Sequence, residues 1–132
     1  MVKYQNRLPR GLAREVNPLL KRWSWLVPSW CHVMQVVYDE TTEDVASMCG
    51  RPQYRDALLT IGPPFVGYDT DSEKEATILH ELLHLHQAAA TDVLNEVLQF
   101  VPEGPFRDTF ERRYEYANEG AVCDLVTALI SR

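Results

Sequence analysis

Residues 72–85 read SEKEATILHELLHL, and this stretch limits what the chain can fold into more than any other. Its start carries a helix signal. Ser72-Glu73-Lys74-Glu75 fits the S-x-x-E capping pattern, in which side chains satisfy the free amides of a first turn. Ile78, Leu79, Leu82, Leu83 and Leu85 then fall on several sides of a helix expected over about 73–90. A helix that is apolar all round is a buried one. Yet this one also carries His80, Glu81 and His84, and an unsatisfied polar group costs about 1–3 kcal/mol when buried.

The spacing suggests what satisfies them. His80-Glu81-Leu82-Leu83-His84 fits H-E-x-x-H. On a helix, residues i and i+4 share a face, so both imidazoles can reach one metal ion. Glu81 lies roughly 100° further round, where its carboxylate can reach an activated water without binding the metal. Two neutral imidazoles, one Zn²⁺ per chain, a water and an adjacent base make up most of a hydrolytic site.

The rest of the chain supplies the setting. At 132 residues a single domain spanning 1–132 is expected. Hydrophobic residues make up 45%, enough for a core. Residues 8–20 read as a helix with Leu12, Val16, Leu19 and Leu20 on one side, and Pro18 is expected to end it early. The aromatic cluster of Trp23, Trp25, Leu26, Val27 and Trp30 reads as core. Strands are expected over 31–38, 45–50 and 54–61, with short connections that favour an antiparallel meander. A short amphipathic helix is expected over 91–101. After Pro102, Gly104 and Pro105, a long one follows over 106–130, its apolar stripe running through Phe110, Tyr114, Ala117, Ala121, Leu125 and Ala128.

A catalytic zinc usually takes three protein ligands and keeps one position open. A third histidine in H-E-x-x-H-x-x-G-x-x-H spacing is excluded, because position 87 is Gln and position 90 is Ala. His86 lies roughly 200° around the helix from His84 and points away. His32 falls on an expected strand and reads as a structural histidine. A carboxylate from the last helix remains, and Glu115 and Glu119 are four apart on one face. Wheel geometry favours Glu115, which is nearer the apolar stripe.

Here the residues resemble a known family. Asn118-Glu119-Gly120-Ala121 resembles the N-E-[GA] segment that carries the zinc-binding glutamate in gluzincins, the thermolysin and aminopeptidase group. Glu119, Val122 and Leu125 also resemble the E-x-x-A-N-x-F-A helix of ImmA/IrrE-like peptidases, with Cys123 in place of the Asn. In length and element order the chain is similar to small single-domain zincins of phages and bacteria. The motif residues cover only 78–86 and 115–126, and His84 and Glu119 are 35 positions apart (119 − 84), longer than in thermolysin-like proteins.

The resemblance implies an α+β zincin-like fold, with about three antiparallel strands packed on the H-E-x-x-H helix and a C-terminal glutamate helix. It implies a zinc metallopeptidase with His80, His84 and Glu119 as metal ligands and Glu81 as catalytic base. Glu115 would then accept a hydrogen bond from a ligand histidine. The substrate would be a peptide or protein, paired to an edge strand expected at 57–61. Tyr114 and Tyr116 are weaker candidates for oxyanion stabilisation. A zinc domain without catalysis is the alternative, and its site would be closed.

Charge and cysteines narrow the partners. A net charge of −6 argues against a nucleic-acid partner, and hence against the DNA-linked role of SprT-like relatives. Three widely spaced cysteines, Cys31, Cys49 and Cys123, read as reduced thiols of a cytoplasmic protein. The polar residues 1–10 contain no signal-peptide core, and no apolar run suits a membrane span. Asp69-Thr70-Asp71 has too few oxygens for a Ca²⁺ loop and reads as the turn before the helix.

Overall fold

A computed structural model of the chain describes residues 1–131. It shows an α+β fold around one small mixed sheet of four strands. The elements run β1 (Lys3–Asn6), α1 (Arg10–Trp23), β2 (Val33–Tyr38), β3 (Ala46–Arg51), β4 (Asp56–Ile61), the short α2 (Pro63–Val66), α3 (Asp71–His84), α4 (Ala88–Leu98) and α5 (Pro105–Ile130). No helix among the described residues is long and apolar enough to cross a membrane.

The sheet is not an antiparallel meander. Its order is β1-β2-β4-β3; β1, β2 and β4 are mutually parallel, and only β3 runs against its neighbour. Connection length misleads here. The segment after β2 is too short for a parallel crossover, but it can carry the chain past one open position to β3, and β4 then returns to fill it. VMQVVY and DALLTI each bury alternate residues, Met34 and Val36 on one strand and Ala57, Leu59 and Ile61 on the other, against the helices. β1 is unforeseen because KYQN is short and polar, with Tyr4 alone turned inward. β4 is therefore an interior strand, so 57–61 offers no free edge. The edges are β1 and β3.

α1 runs on through Pro18 to Trp23. Proline removes one backbone bond at a cost of about 3 kcal/mol in a helix interior, but Pro18 lies on the exposed side. Leu12, Val16, Leu20 and Trp23 are buried on the other side and hold the helix together. Of the aromatic cluster, Trp23 and Leu26 are core, whereas Trp25 is 66% exposed.

Three polar contacts fix α1 on α3. Trp23 Nε1 donates to Glu75 Oε1 at 2.8 Å, Arg22 pairs with the same carboxylate at 3.2 Å, and the largely buried Lys74 pairs with Glu15 at 3.0 Å. α3 begins two residues before the expected capping box. Thr70 is the cap: its hydroxyl accepts from the Glu73 amide at 3.2 Å and donates to the Glu73 carboxylate at 3.1 Å. Asp71 and Glu73 then sit in the first turn, where the helix dipole favours negative charge. Ile78, Leu79, Leu82 and Leu83 are buried beneath the sheet and α1, with Leu85 continuing this core. After His84 the chain tightens into a 3₁₀ turn, Leu85–Gln87, before α4. The α-helix therefore stops short of residue 90.

Gly104, with φ +151° and ψ −173°, turns the chain from α4 into α5 in a region of backbone space essentially reserved for glycine. The face α5 turns to the core is not the expected stripe. Val122 and Val126 are buried and Leu129 half-buried, while Phe110 and Leu125 are exposed. Apolar residues occur all round this helix, so its own pattern leaves the inward face open. Contact with α3 selects the face that also carries Asn118 and Glu119.

Candidate metal centre

His80 and His84 lie one turn apart on α3, their rings 4.7 Å apart and 73° to each other. Their Nε2 atoms are 3.0 Å apart. α5 crosses this face and brings Glu119 against both. One carboxylate oxygen lies 3.1 Å from His80 Nε2 and the other 2.9 Å from His84 Nε2. Glu115 lines the same cleft but touches neither imidazole.

The donor set fits a zinc ion. Bonds of about 2.0–2.1 Å to nitrogen and oxygen in a tetrahedral site place neighbouring donors roughly 3.3 Å apart. The two Nε2 atoms, 3.0 Å apart, are close to that spacing, and each has its own Glu119 oxygen at 2.9 to 3.1 Å. Gln87 prepares one of the donors. His84 Nδ1 donates to Gln87 Oε1 at 3.2 Å, which leaves the Nε2 lone pair facing Glu119 and His80. The Gln87 amide in turn donates to the Asn118 carbonyl at 3.4 Å, tying the 3₁₀ turn to α5.

Sequence reasoning overlooks Gln87, although H-x-x-Q at i, i+3 on a helix was available as a signal. Glu115 does not take the hydrogen-bonding role expected of it; Gln87, on the histidine's own turn, is closer. Gln87→Ala is expected to weaken zinc binding by about 10–100-fold, read by competition with a chromophoric chelator. Unchanged affinity would remove Gln87 from the site.

Glu81 is 91% buried, points into the same space, and has no hydrogen-bond partner among the described residues. Burial, reinforced by the charges of Glu119 and Asp44, pushes its pKa up to about 7. Burial also lowers the pKa of His80, opposed by the Glu119 charge and aided by His84. Both effects leave an uncharged imidazole beside a carboxyl group whose proton is poised for transfer at neutral pH.

The opening runs along β3 in two parts. One, of about 560 Å³, lies between Ser47–Gly50 of the strand and His84, Asn118 and Glu119. The other, of about 400 Å³, lies beside Val45 and Ala46 and reaches His80, Cys123 and Val126. Glu81 lines both. Tyr114 and Tyr116 line neither. A larger cavity of about 680 Å³ beside β1 and Trp25 contains none of these side chains.

The remaining histidines lie outside the site. His86 Nε2 donates to the Leu26 carbonyl, and His32 approaches Arg55 at 3.5 Å. All three cysteines are free thiols, Cys31 buried and Cys49 and Cys123 exposed.

Compared with known proteins, the chain matches no family model, no curated protein and no solved structure.

Proposed function

We propose that this chain is a zinc metallopeptidase with a zincin-like, gluzincin-type site: His80, His84 and Glu119 hold the ion and Glu81 is the general base. The observation that carries the proposal is the meeting of three donors, from two helices and 35 positions apart, beside a buried acid with no other partner. When bound, zinc supplies Lewis acidity and lowers the pKa of water towards ~7.

The chain's own groups do the rest. A peptide paired to the free edge of β3 would run from one part of the cleft to the other and bring its scissile carbonyl past Glu81. Glu81 accepts a proton from the attacking water as the water oxygen bonds to the carbonyl carbon. The C–N bond then breaks, and Glu81 returns the proton to the departing amine. A zinc ion serving only to stabilise the fold would give Glu81 no such task.

The test is hydrolysis of an unfolded protein and of a mixed peptide library by zinc-loaded protein. Cleavage is expected, stopped by a chelator and restored by Zn²⁺. A protein that holds zinc but cleaves nothing across the library would overturn the enzymatic reading.

A further inference from the structure

Cys123 is an ionisable group at the site with no place in that mechanism. Cys123 follows Glu119 by one helical turn on α5 and lines the cleft together with His80 and Glu81. Its Sγ, a His80 ring nitrogen and a Glu119 carboxylate oxygen all lie within 4.8 Å of one another. The thiol is free and exposed, so nothing else in the fold holds it.

We propose that Cys123 is a fourth protein donor to the metal, closing the resting site, and that hydrolysis requires the sulfur to swing out. The inference rests on the metal-centre reading above. Three features support it. Zinc has high affinity for thiolate, with Zn–S near 2.3 Å, so a sulfur even at the limit of this spacing needs to close by only a little over about 1 Å. Residues i and i+4 of one helix share a face, so the same placement of α5 that delivers Glu119 also delivers Cys123. A dication held by two neutral imidazoles and one carboxylate keeps a positive charge, which a thiolate cancels. In the exchange the thiol proton passes to solvent and a sulfur lone pair takes the position a water would occupy; no electron is transferred. One χ1 rotation of an exposed side chain reverses it. Wild-type hydrolysis is then limited by the fraction of chains with the sulfur outside.

Cobalt substitution tests this without reference to activity. The protein is titrated with Co²⁺ alone, and the visible bands report occupancy while near-ultraviolet thiolate-to-cobalt charge transfer reports sulfur ligation. Wild type and Cys49→Ser are expected to show both signals. Cys123→Ala is expected to keep the visible bands and lose the charge-transfer band, and its zinc form is expected to hydrolyse peptides faster than wild type. Visible bands without charge transfer in the wild type would overturn the inference and leave the three-ligand site standing. So would charge transfer that survives in Cys123→Ala or vanishes in Cys49→Ser. A wild type that binds no cobalt would overturn both readings.

Discussion

Glu81→Gln is expected to keep its zinc and to lose peptide hydrolysis by about 10²–10⁴-fold, the usual worth of a positioned general base. The side chain keeps its shape and stays among the same neighbours, but an amide cannot carry the proton from water to amine. The same variant has an opposite effect on stability in the metal-free protein. Burial raises the Glu81 pKa from 4.5 to about 7, so the folded chain holds this proton more tightly than the unfolded chain does. The stabilising contribution of that proton is complete below pH 4.5 and is lost as the pH rises through about 7. At about pH 8, metal-free Glu81→Gln is therefore expected to be more stable than wild type by about 3 kcal/mol, and at about pH 4 to match it. Denaturant melts at the two pH values check this. Equal stability at both would mean that the carboxyl is not buried as the fold places it.

Zinc is expected to stabilise the wild type strongly. An ion bound only by the folded chain, at 100 times its Kd, adds about 2.7 kcal/mol, which for a domain of this size is roughly 10 °C in Tm. His84→Ala is expected to reduce the shift strongly. It removes one imidazole donor and breaks the link through Gln87 to α5. Glu115→Ala is expected to keep the shift, because that carboxylate touches neither histidine. A melting temperature indifferent to Zn²⁺ in the wild type would mean that these donors do not close on an ion.

The meeting of His80, Glu81 and His84 on one helix is more legible in the sequence than the topology is. H-E-x-x-H depends on local geometry: once 71–84 is helical, His80 and His84 must share a face and Glu81 must lie beside them. The apolar residues that bury α3 are also local. Glu119 is harder. The wheel pattern of α5 points to Glu115, because Phe110, Ala117 and Leu125 resemble a stripe; yet Phe110 and Leu125 are exposed and the inward line runs through Asn118, Val122 and Val126. A helix packed along only part of its length need not bury its most apolar side, and only the resemblance of Asn118-Glu119-Gly120 pointed to the carboxylate that the fold brings against His80 and His84.

Strand order is not a local property at all. β2 and β4 read alike as apolar runs, and no residue between them announces that β3 lies outside and β4 inside. That choice moves the free edge from 57–61 to β3, and with it the line a substrate would follow. The helix start illustrates a smaller competition. Ser72 and Thr70 both precede a glutamate by three residues, and the chain uses Thr70, which places both Asp71 and Glu73 in the first turn.

The most direct test of the site is metal content by mass spectrometry after exposure to Zn²⁺ and removal of excess ion, on wild type, Glu115→Ala and Glu119→Ala. One zinc per chain is expected in wild type and Glu115→Ala, and a large loss of zinc in Glu119→Ala, which keeps only His80, His84 and the Cys123 thiol. Full zinc in Glu119→Ala with loss in Glu115→Ala, or a wild type that takes up no zinc, would contradict the site described here.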